Sequence, residues 1–130
     1  MSDLHASSVQ IIAEPVFLES ESEPHSDQFV WAYQITIKNQ GDQTIKLLRR
    51  HWKITDSKGL TQEIEGKGVV GVEPFLRPGE SFSYTSGAVL SSPSGIMRGD
   101  YEMENPAGKK FKVSIPAFSL DSPHETVLLN

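Results

Sequence analysis

From Phe29 to Ile37 every second residue is apolar: Phe29, Trp31, Tyr33, Ile35 and Ile37 share one phase, while Gln34, Thr36 and Lys38 take the other. A period of two sends successive side chains to opposite faces of an extended backbone, so the segment buries one face only as a β-strand. The pattern recurs. Phe82 and Tyr84 alternate with serine; Met97, Gly99, Tyr101 and Met103 alternate with Arg98, Asp100, Glu102 and Glu104; Phe111, Val113 and Ile115 alternate with Lys110, Lys112 and Ser114. Turn signals at 39–42, 57–59, 78–79, 92–95 and 105–108 separate these runs, with Pro78-Gly79 suited to a type II turn. No segment carries a convincing helical period. The chain therefore reads as an all-β sandwich of about seven to nine antiparallel strands.

The strand from Ile45 to Asp56 changes phase partway. Ile45 and Leu47 are apolar at odd positions, Leu48, Trp52 and Ile54 at even ones. A bulge near Leu48 and Arg49 would return both sets to the core. A short strand is expected from Leu60 to Glu65. The expected core contains Trp31, Tyr33, Ile35, Ile37, Trp52, Tyr101, Phe111 and Val113, with the Tyr101 hydroxyl bonded to backbone at a strand corner. Segment 19–27 is acidic and rich in turn formers, which predicts a mobile loop. The tail 121–130 is expected to be loosely held, with Val127, Leu128 and Leu129 resting on the sandwich.

At 130 residues the chain is one domain, 1–130, with its core at about 9–120 between flexible ends. A net charge of −5 with scattered basic residues argues against nucleic acid or an anionic membrane as a partner. There is no cysteine, which excludes disulfides and thiolate metal sites and suits a reducing cytoplasm. The start, Met1-Ser2-Asp3-Leu4-His5, lacks the basic and apolar regions of a signal peptide, and no run approaches a membrane span.

Gly66-Lys67-Gly68-Val69-Val70-Gly71 spells GxGxxG. A dinucleotide fingerprint needs a helix after its glycines to supply free N–H groups and a positive dipole, whereas Val72-Glu73-Pro74 follows here. Gly66, Lys67, Gly68 and Gly71 remain phosphate-binding candidates, but the favoured reading is geometric: glycines where the backbone needs positive φ or close approach. Val69 and Val70 are expected to be extended. Arg49, Arg50 and His51, beside Trp52, are surface-contact candidates. Alternation puts Arg49 and His51 on one face and Arg50 and Trp52 on the other; the rival reading pairs the arginines with Asp100 or Glu102. His5, His25, His51 and His124 are dispersed, so no metal site is expected, and Glu19, Glu21, Glu23 and Asp27 would hold a hard cation only weakly. No serine sits in a GxSxG elbow, and the strand carboxylates look like one solvated face opposed by lysines. No catalytic residue and no cofactor are expected.

Six blocks, Tyr33-Gln34-Ile35-Thr36-Ile37, Leu47-Leu48-Arg49-Arg50-His51-Trp52, 66–74, Pro78-Gly79-Glu80, Tyr84-Thr85-Ser86-Gly87 and Gly99-Asp100-Tyr101-Glu102-Met103, resemble the ApaG family in order and spacing. The resemblance covers about residues 9–120. It implies an immunoglobulin/fibronectin type III-like sandwich, found alone in bacteria and as a binding module within eukaryotic F-box and DNA-polymerase-associated proteins. It also implies an indirect association with cobalt tolerance and magnesium handling, and no established reaction. The expected function is thus a non-enzymatic, cytoplasmic protein-interaction module. Its partner would be a protein, a second copy of the chain included. The alternative is a nucleotide- or phosphate-binding protein working through Gly66 to Gly71.

Overall fold

The computed structural model describes residues 8–125, which form a sandwich of two antiparallel sheets. In chain order the strands are β1 (Val9–Phe17), β2 (Phe29–Asn39), β3 (Ile45–Asp56), β4 (Thr61–Lys67), β5 (Phe75–Leu76), β6 (Ser81–Leu90), β7 (Gly95–Glu104) and β8 (Lys110–Leu120). One sheet runs β1-β2-β6; the other runs β4-β3-β7-β8, with β5 also pairing with β3. The expectations of flexible ends at 1–7 and of a resting apolar tail at Val127, Leu128 and Leu129 lie outside the described residues.

The two faces meet through the side chains that the period of two nominates. Trp31, Tyr33, Ile35, Ile37, Trp52, Tyr101, Phe111 and Val113 are all buried in one cluster. Trp52 sits edge-on to Tyr33, with ring centroids 5.5 Å apart, and to Tyr101 at 6.4 Å. Such perpendicular contacts suit the ring quadrupoles and fix the facing sheets against each other. The Tyr101 hydroxyl meets the Tyr84 hydroxyl across the core, not backbone at a strand corner, because β7 and β6 bring the two rings together from opposite sheets.

The bulge in β3 falls where the phase slips, with the register to β7 shifting between Leu47 and Arg49. A second shift, not foreseen from the sequence, lies between Met97 and Gly99 opposite Pro116 and Ala117 of β8. Proline there has no N–H to contribute, so an irregular position is where the ladder tolerates it. Pro78-Gly79 makes the expected tight turn: Gly79 has φ +86° and the Glu80 N–H donates to the Arg77 carbonyl at 2.9 Å.

Segment 19–27 is more structured than its composition suggests. It folds into two single 3₁₀ turns, Glu19–Glu21 and Pro24–Ser26, held by Ser22: its hydroxyl donates to the Leu18 carbonyl at 2.7 Å and accepts from the Val30 N–H at 2.9 Å. His124 closes the same corner, its Nε2 lying 2.9 Å from the Glu19 carboxylate and its ring against Phe17 and Phe29.

Candidate functional site

Alternation within β3 decides what its basic run can do. Arg49 and His51 project from the outer face of the four-stranded sheet, and the cross-strand register places Glu65 of β4 and Asp100 of β7 beside His51, and Glu102 beside Arg49. Lys112 of β8 stands next to Glu102 in turn. These side chains line a shallow cleft of about 170 Å³, open to solvent. Both signs of charge are interleaved across four adjacent strands.

His51 is the centre of this face. Its Nε2 lies 2.6 Å from Glu63 and 3.8 Å from Glu65, and its Nδ1 lies 3.5 Å from Asp100. With a carboxylate facing each nitrogen, the doubly protonated ring is the form that donates to both. The hydrogen bond to Glu63 raises the His51 pKa above its ordinary value, with Asp100 adding to the effect and partial burial opposing it. The same hydrogen bond holds the Glu63 carboxyl below its usual range, helped by Lys53. A general base needs a free lone pair within reach of a substrate proton; here both ring nitrogens are engaged by acids. No hydroxyl nucleophile is among the hydrogen-bond partners of His51.

Among the described residues, His51, Glu63 and Glu65 are the trio of metal-ligating type whose donor atoms all lie within 4.8 Å of one another. Dispersed histidines gave no hint of it, because the other donors are carboxylates delivered by strand pairing. The signal was nonetheless present: counting equal steps outward from the 57–59 turn brings Glu65 opposite His51. Any cation binding here would compete with protons for the His51 nitrogen, whose proton affinity the carboxylates raise.

Arg50 takes a different course. It points to the inner side with Trp52 and reaches the rim of the sandwich, where its Nη1 donates to the carbonyls of Lys67 at 3.2 Å and Gly68 at 3.0 Å. Among the described residues neither Arg49 nor Arg50 forms an ion pair with Asp100 or Glu102; the partner of Asp100 is His51. Arg50 therefore secures the glycine loop from beneath, and a side chain on Gly66 would run into its guanidinium at 2.7 Å.

The glycine loop is a kink in an edge strand. β4 and β5 both run antiparallel to β3, and the intervening chain swings out opposite the Leu48 bulge. The Gly68 N–H donates to the Leu48 carbonyl at 2.8 Å, and Val69 and Val72 exchange backbone hydrogen bonds of 2.8 and 2.9 Å across Val70-Gly71. Val70 has φ +43° and Gly71 φ +82°, the signature of a type I′ turn. The extended conformation expected for Val70 is thus not adopted, because closing a two-residue turn demands positive φ at both central positions. The N–H groups of Gly68, Val69 and Val72 are committed to carbonyls. Lys67 lies at the loop's base with its Nζ 3.7 Å from Glu73.

Two packed antiparallel sheets with loops and edges at their ends define an immunoglobulin/fibronectin type III-like β-sandwich domain. A PapD-like domain of human CEP192 shares this fold at a TM-score of 0.50 and 12% identity, over 88% of this chain and 87% of that one. The chain belongs to the ApaG family, whose domain model matches residues 19–105. Protein ApaG of Parvibaculum lavamentivorans is 57% identical over 123 residues, 95% of each chain, and Protein ApaG of Paramagnetospirillum magneticum is 53% identical over 122 residues, 94% of each. A crystal structure of the ApaA protein of Bordetella pertussis superposes with a TM-score of 0.87 at 40% identity, over 90% of this chain and 95% of that one.

Proposed function

We propose that this protein is a non-enzymatic, cytoplasmic interaction module that recognises a protein partner through the charged outer face of its four-stranded sheet. The observation that carries this reading is the His51 cleft: Arg49, His51 and Lys112 interleave with Glu65, Asp100 and Glu102 on neighbouring strands, open to solvent. A patterned mixture of both signs favours a surface of complementary pattern and disfavours a uniformly charged polymer. Both nitrogens of His51 face carboxylates, which suits a ring held in place better than a proton shuttle. Association with cobalt tolerance and magnesium handling, implied by the family resemblance, would then act through the partner.

The phosphate-binding alternative has less support. Lys67 is shared with Glu73, the N–H groups of Val69 and Val72 bond to each other's carbonyls, and that of Gly68 bonds to the Leu48 carbonyl of β3. An affinity capture from the native cytosol, read by mass spectrometry, discriminates the two alongside a nucleotide thermal-shift screen. A reproducible partner retained by Lys67→Ala but lost from Arg49→Glu and Lys112→Glu is the expected result. A nucleotide-induced thermal shift that disappears in Lys67→Ala would transfer the function to the glycine loop.

A further inference from the structure

A sandwich of two open sheets has four edges, and each edge strand exposes unpaired N–H and C=O groups that invite another strand unless something blocks it. Three edges here are blocked. β1 carries Glu14 and Pro15, β4 carries Glu63, Glu65 and Lys67, and β8 carries Lys110, Lys112 and Pro116 together with a register shift. The fourth, β6, has none of these devices: its ten residues, SFSYTSGAVL, include no charge and no proline, and its pairing with β2 runs without a shift. Among the described residues no other strand pairs with β6.

The direction of its free groups follows from the ladder. The Asn39 N–H donates to the Glu80 carbonyl, so pairs at steps of two from that point, Phe82, Tyr84, Ser86 and Ala88, turn their backbone groups toward β2. Ser83, Thr85 and Gly87 direct theirs outward. All three lie exposed, with the Ser83 and Thr85 side chains on the outer face of the three-stranded sheet. We propose that a second copy of this chain docks on that edge, β6 against β6 in antiparallel register about a two-fold axis at Thr85, giving a continuous six-stranded sheet.

That register uses the strand almost end to end. Thr85 faces Thr85, Ser83 faces Gly87, and Ser81 faces Val89, so small residues meet across the axis and no charge meets its own copy. On the inner side Phe82 faces Ala88 and Tyr84 faces Ser86, each large ring opposite a small residue. Glu80, the nearest charge, falls opposite Leu90 and not opposite its equivalent. An isologous contact requires this kind of self-complementarity, and it lies on the sheet opposite to the His51 face. The dimer therefore leaves the proposed partner surface free.

Strand addition buries a small area, so the association is expected to be concentration-dependent, with a dissociation constant on the order of 10 μM to 1 mM. Sedimentation equilibrium across that range should show the mass rising from 14.4 kDa toward twice that value. Thr85→Lys, which sets two lysines against each other at the axis, should stay monomeric, as should Thr85→Glu. An equimolar mixture of the two should recover the dimer. Amide exchange on the unmodified chain gives a readout that needs no variant: Thr85 should slow as concentration rises, while Ala13, whose N–H faces outward on the β1 edge, should not. A mass that remains monomeric throughout, a dimer indifferent to Thr85→Lys, or a strand that accepts only a foreign peptide would each overturn the proposal.

Discussion

At the scale of single residues, the glycine loop shows sequence chemistry set by backbone geometry. Gly68 has φ +63°, and a Cβ there would lie 2.3 Å from the Val72 carbonyl oxygen, so strain and collision act together. Gly68→Ala is expected to lower stability by at least about 1–3 kcal/mol, seen as a drop in urea midpoint. Lys67→Ala should leave that midpoint almost unchanged, since its side chain is 74% exposed and an exposed ion pair contributes little. A large loss from the lysine and none from the glycine would refute the geometric account. Val70 supplies the opposite test. A β-branched residue at φ +43° is strained, and it is exposed, so nothing in packing requires it. Asn-Gly is the preferred pair for a type I′ turn, and Val70→Asn is accordingly predicted to stabilise the fold by roughly 1 kcal/mol. An unchanged or lower midpoint would show that Val70 is held by something other than the turn.

At the scale of elements, the β3–β4 hairpin turns separate residues into a site. Its strands, and the bulge at Leu48, were legible in the sequence because alternation and its interruption are local signals. The partners of His51 were not, because Glu63 and Glu65 become neighbours only when the hairpin register is applied and Asp100 arrives from a strand far along the chain. The contacts of Arg50 were not legible for a related reason: pairing rules place its backbone, but only the loop's shape shows carbonyls waiting at the end of its side chain. The register makes a titration prediction. In an NMR titration His51 should have a midpoint above the ordinary histidine value, and Glu63→Gln should bring it down by removing the first cause of the shift. Folded His51 binds its proton more tightly than unfolded histidine, so this contribution is complete below a pH of about 6.5 and fades as pH rises through the folded midpoint. The partner Glu63 has the opposite sense: its contribution is present above its unfolded value and fades as pH falls through the lowered one. A His51 midpoint at or below the ordinary value, or one unmoved by Glu63→Gln, would mean that the carboxylates do not engage the ring in solution.

At the scale of the whole molecule, one core couples the two sheets, and Tyr84 and Tyr101 form its polar junction. Ile35, fully buried between the sheets, sets the apolar side of that coupling: Ile35→Ala should cost about 2–5 kcal/mol through lost burial and the cavity left behind. The tyrosines add a pH limit. Burial pushes the Tyr84 hydroxyl up to about 12, the hydrogen bond with Tyr101 acting against it, and burial raises Tyr101 further. Unfolded tyrosines release their protons near pH 10, so between that pH and the raised folded values the native state binds protons that the unfolded state has lost. Stability is therefore complete below about pH 10 and falls as pH rises beyond it. Replacing one tyrosine by phenylalanine leaves the other hydroxyl buried without its partner and should be costly at any pH. Replacing both removes polar groups from both sides and should be nearly neutral at pH 7. The double variant Tyr84→Phe/Tyr101→Phe is thus expected to match the parent's urea midpoint at pH 7 and to exceed it at about pH 11, because the junction no longer has protons to lose. Parallel losses in both proteins over that range would place the source of alkaline unfolding elsewhere than between the sheets.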